Sequence, residues 1–248
     1  MLAFRSLLFL LFQTATVVPF AFASILMLPL PLHFRYRVIA CWPRICIWAL
    51  RVLCGVRWEV QGMENLPDGP CILLSKHQST WETFFFPATM PRELCFVYKR
   101  ELHWVPFFGW GIASLRMIHI NRGRSQQAWE SVVAQGSQRM AEGRWIIMFP
   151  EGTRTPAGTK GRYKSGGTRL AVRLGVPVVP IAHNAGRFWP RKRFLKTPGT
   201  VHVSIGAPIP SVGSTPERLI AEVEQWIEAE VERIDVVPPS RDAVHAAA

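Results

Sequence analysis

The sequence predicts an α/β protein with a largely parallel central sheet covered by helices, preceded by an N-terminal membrane-associated helical segment. Three observations carry this. Short apolar runs bounded by turn residues alternate with stretches of helical periodicity. Each apolar run is only strand-length, and the intervening helical patterns suit crossover connections. The chain opens with an apolar stretch, Ser6 to Phe34, that holds no Asp, Glu, Lys or Arg. The expected organisation is membrane-anchoring helices over residues 1–54, an α/β domain over 55–236 and a flexible tail over 237–248.

The apolar stretch as one helix would be about 43 Å long, against a hydrocarbon core of about 30 Å. Pro19, Pro29 and Pro31 interrupt it, and proline inside a helix kinks or breaks it. Two shorter helices meeting near Pro19 and dipping into one leaflet therefore fit as well as one tilted span. Arg5 and Ala21-Phe22-Ala23 mimic a signal peptide, yet the apolar character continues to Leu32, which a signal peptide does not need. Arg35, Arg37, Arg44 and Arg51 follow the stretch and only Arg5 precedes it. The positive-inside tendency then leaves the rest of the chain in the cytoplasm.

Residues 38–54 read as an interfacial or domain-covering helix. The strands expected after it are Arg57–Gln61, Cys71–Ser75, Leu94–Tyr98, Arg116–Ile120, Trp145–Phe149, Val178–Ala182 and Val201–Ile205. Between the fourth and fifth, Ala128, Trp129, Val132, Val133 and Met140 form one helical stripe. Near the end, Thr215 is the N-cap of a last helix, with Pro216 at its first position and Glu217 in its first turn. That helix is acidic opposite its apolar stripe, which points it at the domain rather than at a membrane.

The net charge of +12 predicts an anionic partner. Ten tryptophans and fifteen phenylalanines beside that charge suit a membrane interface. Nucleic acid is favoured by charge alone, with no zinc, RRM or helix-turn-helix signature. The cysteines have no CxxC spacing and no histidine at metal-ligand distance. No metal is expected, and the thiols read as buried and reduced in a cytoplasmic-facing protein.

Four stretches invite chemistry. In KHQSTWETFFF, His77 stands five positions before Glu82, in a turn between a buried strand and a helix, where open α/β sheets place ligands. Within one regular helix such positions lie about 140° apart and do not meet; they meet only if His77 precedes the helix and folds back. Ser79 and Glu82 equally fit a capping box, and this stretch alone leaves both readings open. FPEGTRT, after the strand WIIM, offers a glycine for close backbone approach, a threonine hydroxyl and an arginine fork for phosphate or carboxylate. HINRG sets Arg122 just past another strand. GVPVVPIAH is a buried strand whose Pro180 cannot donate to a ladder, which implies an edge or a bulge.

Together and in this order, His77-Gln-Ser-Thr-Trp-Glu82, FFGWGIASLRMIHINR ending at Arg122, FPEGTRT and VPVVPIAH resemble the four blocks of the glycerolipid acyltransferase family. The resemblance is strongest to its members that act on 1-acyl-sn-glycerol-3-phosphate, and covers roughly residues 55–210. It implies acyl transfer from a thioester to the sn-2 hydroxyl of lysophosphatidic acid, giving phosphatidic acid. His77 would be the general base, and Glu82 would fix its tautomer and stabilise the imidazolium. Arg122 and Arg154 would hold the phosphate, Glu151, Gly152 and Thr153 would shape the glycerol-phosphate pocket, and Lys99 would assist. Oxyanion donors would be backbone N–H groups around Gly152 or the His77 turn. No prosthetic group is implied; acyl-ACP or acyl-CoA would be the co-substrate.

One departure from the family pattern is Glu82, where an aspartate is usual; its carboxylate sits one methylene further out. The setting implied is a bacterial-type inner membrane with the catalytic domain on the cytoplasmic face. Membrane phospholipid and lysophosphatidic acid are the expected partners, and nucleic acid is not. RFWPRKRFLK, residues 187–196, is expected at the headgroup surface. Alternatives are a related enzyme using glycerol-3-phosphate or another lysolipid, and a non-catalytic phospholipid-binding protein.

Overall fold

A computed structural model describes residues 1–120 and 125–236; the expected tail, 237–248, lies outside the described residues. The first helix, α1, runs Leu2–Leu26 without a break at Pro19. Of the two arrangements left open, the single helix is the one found: one missing backbone bond does not end a helix whose neighbours continue to pair. The chain turns after Leu26, ahead of Pro29, and re-enters helix at α2 (Leu32–Ile39) and α3 (Cys41–Cys54).

By length and hydropathy α1 could cross a membrane, yet it is tied to the rest of the protein along its length. Near its start, Arg5 Nε donates to the Leu53 carbonyl at 2.7 Å and Phe9, fully buried, meets Trp189 edge-on at 5.5 Å. Midway, Trp42 Nε1 donates to Thr16 Oγ1 at 3.1 Å. Near its end, Phe22 meets Phe107 and Trp110 at 6.3 and 6.4 Å. Its outer side leaves Phe4, Leu7, Leu8, Leu11, Ile25 and Leu26 exposed.

Then follow β1 (Val56–Gln61), β2 (Ile72–Ser75), α4 (Trp81–Thr89), β3 (Leu94–Lys99), α5 (Phe108–Ser114), β4 (Ile118–Ile120), α6 (Ser125–Ala141), β5 (Trp145–Met148), α7 (Gly166–Leu174), β6 (Val178–His183), β7 (Gly199–Ile205) and α8 (Pro216–Val236). Among the described residues the sheet has seven strands in the order β1-β7-β6-β2-β5-β3-β4. Every pairing is parallel except β6 with β7, so β1 and β7 run against the other five. The central strands are apolar throughout because both faces are covered. One face packs on α3 and α4 through Leu50, Leu73, Trp81, Phe85 and Ile147; the other packs on α6, α7 and α8 through Leu74, Val132, Ile146, Leu170 and Val223.

Two expectations change. Pro180 lies in β6, an interior strand between β7 and β2, not at an edge. Its carbonyl accepts from Gly206 just beyond the last β6–β7 pair, Ile181 with Ile205. A residue's N and O share one side of a strand, so the missing N–H faces a ladder that has already ended. The cysteines are all free thiols, but Cys41 is exposed rather than buried. The last helix starts as its signals direct, with Thr215 Oγ1 accepting the Arg218 N–H at 3.2 Å, and it buries Leu219, Val223, Ile227, Val231 and Ile234 against the sheet.

Candidate active site

The site forms where β2 and β5 end side by side. From β2 the chain crosses to β3 over one face of the sheet, and from β5 it crosses to β6 over the other. Such a reversal opens a crevice at the strands' carboxyl ends. The extended link Lys76–Thr80 leaves β2 before α4 begins at Trp81. His77 is therefore outside the helix and folds back onto its first turn. Its Nδ1 lies 2.8 Å from Glu82 Oε1, and the ring stacks on Phe149 with centroids 4.0 Å apart.

Glu82 caps the turn that leads into α4 while it contacts His77. The same Oε1 accepts the N–H groups of Gln78 at 3.0 Å and Ser79 at 2.8 Å. Ser79 completes the turn, its hydroxyl accepting the Trp81 N–H at 3.0 Å and donating to the Trp189 carbonyl at 2.6 Å. Burial acts to raise the Glu82 pKa, and the hydrogen bonds from the His77 ring and the Ser79 N–H oppose it. Glu82 has no solvent contact. With a carboxylate oxygen on Nδ1, the neutral His77 ring carries its proton there and its lone pair on Nε2.

The loop after β5 is stitched to this turn. Gly152, at φ +67°, closes it by donating to the Phe149 carbonyl at 3.0 Å. Glu151 points inward: Oε2 accepts the His77 N–H at 2.7 Å, while Oε1 meets Lys76 Nζ and Thr155 Oγ1, each at 2.9 Å. Thr155 N–H donates to the His77 carbonyl at 2.8 Å. Both oxygens of Glu151 are thus engaged by protein.

Arg154 is half-buried beside Glu82. Burial lowers its pKa, Glu82 opposes that, and Arg191 adds to it. Its Nε is buried without a partner among the described residues. Thr153 is exposed on the same loop, and Lys164 reaches to where a side chain on Gly152 would begin, 3.1 Å away. Lys99 ends β3, exposed, two strand positions from β2 and roughly 10 Å away before side-chain reach. Arg122 lies outside the described residues, two positions after the end of β4.

The structure thus brings together His77, Glu82, Glu151, Gly152 and Arg154. Sequence reasoning passed over Lys76, Phe149, Thr155 and His183. The last closes VPVVPIAH at the end of β6, fully buried, and its Nε2 donates to the Lys76 carbonyl at 2.8 Å while Nδ1 accepts the Ala185 N–H at 3.3 Å. Burial lowers its pKa, consistent with a neutral ring that needs an acceptor lone pair on Nδ1.

A family model described as Acyltransferase matches residues 57–184, more than half of the chain. The chain belongs to the acyltransferase family. This acyltransferase is 47% identical over 92% of its length, and 88% of the relative's, to a 1-acyl-sn-glycerol-3-phosphate acyltransferase of Pseudomonas aeruginosa. It is 30% identical, over 70% of its length and 62% of the relative's, to 1-acyl-sn-glycerol-3-phosphate acyltransferase alpha of Homo sapiens. Its fold superposes on the crystal structure of the 1-acyl-sn-glycerophosphate (LPA) acyltransferase PlsC of Thermotoga maritima with a TM-score of 0.78. That match is at 25% identity and covers 95% of this chain and 96% of the other. The acyltransferase segment takes in both stitched loops and ends at Asn184, directly after the buried His183.

Proposed function

We propose that this acyltransferase transfers an acyl chain from a thioester to the sn-2 hydroxyl of 1-acyl-glycerol-3-phosphate, giving phosphatidic acid. The observation that carries the mechanism is the 2.8 Å contact between His77 Nδ1 and the buried Glu82 carboxylate. Nε2 takes the hydroxyl proton as the lipid oxygen attacks the thioester carbonyl. The tetrahedral adduct collapses, the carbon–sulfur bond breaks, and the imidazolium returns its proton to the departing thiolate. The substrate hydroxyl does the work a serine does elsewhere, so no acyl-enzyme is needed.

Arg154, with its unpartnered Nε, receives the phosphate, aided by Arg122, Lys99 and the Thr153 hydroxyl. For the oxyanion, the N–H groups of His77, Gln78 and Ser79 are committed to carboxylates, and that of Gly152 to Phe149. The amides of Thr153 and Arg154 are then the donors in this reading. The acyl donor is acyl-ACP or acyl-CoA.

The anchor is read as monotopic. A helix whose Phe9 and Phe22 both touch the catalytic domain does not place its two ends on opposite sides of a bilayer in this reading. It lies along one face instead, with its exposed leucines and phenylalanines in the lipid, and the positive charges after it favour the cytoplasmic face of an inner membrane. Acylation of lysophosphatidic acid by detergent-solubilised protein, screened against glycerol-3-phosphate and other lysolipids with radiolabelled donors, tests the acceptor. His77→Ala is expected to abolish turnover; a purified variant with near-normal rate overturns the base assignment.

A further inference from the structure

Beneath the His77 turn lies a charged cluster of which the four blocks assign only Glu151. The Lys76 side chain is fully buried, with Nζ 2.9 Å from Glu151 Oε1 and 2.7 Å from Glu228 Oε1. Its third contact is the Thr159 carbonyl, at 3.3 Å. Tyr163 donates its hydroxyl to the same Glu228 oxygen at 2.7 Å; burial first, then Glu151 and Glu228, push that phenol well above its usual range and keep it neutral. Four parts of the chain meet here: the link after β2, the loop after β5, the stretch from Thr159 to Tyr163, and helix α8, whose Glu228 is 152 positions from Lys76.

A buried ammonium is costly unless its donors are matched. Two carboxylates and a carbonyl match all three. What this set holds in place is the base. Glu151 is gripped through Oε1 by Lys76, and its Oε2 holds the His77 N–H at 2.7 Å. Thr155 ties the other end of the same residue, at the His77 carbonyl. Movement of Glu228 on α8 therefore reaches His77 through two ion pairs and one hydrogen bond, without an intervening flexible segment.

We propose that Lys76 is a positioning residue for acyl transfer: by bridging Glu151 and Glu228 it sets the His77 imidazole against the acceptor hydroxyl, and this makes α8 part of the catalytic apparatus. The proposal rests on His77 being the base. A lysine with a merely structural role would change how much protein folds, not how fast folded protein turns over.

The test compares Lys76→Met, Glu151→Gln and the double variant as detergent-solubilised full-length protein. kcat and KM are measured with lysophosphatidic acid and acyl-CoA per folded enzyme, with His77→Ala alongside. Lys76→Met is expected to lower kcat by about 10- to 100-fold, the scale on which roughly 1 Å of misplacement acts, with both KM values within about 3-fold. The double variant is expected to be no slower than the slower single variant, since both break one chain of contacts. Glu228→Gln, which keeps the Lys76–Glu151 pair, is expected to lose about 3- to 10-fold in kcat on the same scale, and decides the matter if Lys76→Met does not fold. A kcat for the folded variant within about 2-fold of wild type, or losses that simply multiply, overturns the proposal. If His77→Ala is dead while Lys76→Met is normal, only the positioning role fails; if His77→Ala is active, the base assignment fails first.

Discussion

Glu82 uses a single carboxylate oxygen to hold His77 Nδ1 at 2.8 Å and to accept two backbone N–H groups at the start of α4. The helix start and the histidine–carboxylate contact are one structure. Glu82→Gln keeps the shape but removes the anion that stabilises the imidazolium. The expected result is a fall in kcat of about 10²- to 10⁴-fold, read from initial rates on folded protein. Glu82→Asp draws the carboxylate back by one methylene and is expected to retain more activity than the Gln form, with reduced thermal stability.

If Arg154 offers its fork to the substrate phosphate, as proposed above, its loss should weaken binding before it slows chemistry. Arg154→Lys keeps the charge but not the planar pair of donors. Its KM for lysophosphatidic acid is expected to rise by about 10-fold, equivalent to about 1.4 kcal/mol, with kcat changed less. A steady-state titration of the acceptor at saturating donor reads both.

His183 is buried and neutral, with its pKa lowered by burial. The unfolded chain then takes up a proton below the ordinary histidine value of about 6.5 that the folded protein refuses. Stability from this residue is complete above that pH and is lost as the pH falls below it, by at most about 1.4 kcal/mol per pH unit. Thermal denaturation between pH 7.5 and 5.5 is expected to show a steeper loss for wild type than for His183→Gln, whose amide can reproduce both hydrogen bonds.

Arg191, Lys192 and Arg193 are exposed beside Phe194 and Leu195, and the next residue, Lys196, donates its N–H to Ser6 Oγ of α1 at 3.0 Å. The basic loop is thereby held next to the anchor. Replacing the three cations with glutamate is expected to weaken binding to anionic liposomes at low salt, by roughly 1 kcal/mol per cation removed. Cosedimentation at rising ionic strength follows it; unchanged binding at low salt would discard the headgroup reading.

The seven strands were legible because each is a short apolar run between breakers, and burial on both faces leaves no other reading of a segment such as WIIM or CILLS. His77 with Glu82 and the EGTR loop were legible because their chemistry sits in compact stretches. What was not legible depends on distance along the chain. The contact of Lys76 with Glu228 joins residues 152 apart, and a lysine before a histidine gives no sign of being buried. Glu151 reads as a ligand residue until its two oxygens are seen to be spent inside the protein. Pro19 left one helix or two open and Pro180 suggested an edge or a bulge, because proline reports a missing donor, not whether any partner was waiting for it.

The way α1 is fastened bears on how this protein can be handled. Trimming the first thirty residues to gain solubility would strip the cover from Trp189 and leave the Lys196 N–H and the Leu53 carbonyl without their partners. The same Trp189 carbonyl receives the Ser79 hydroxyl, one step from the base. A shortened protein would carry that exposed seam into its own reaction centre, so a water-soluble version calls for repainting the outer side of the helix rather than for a pair of scissors.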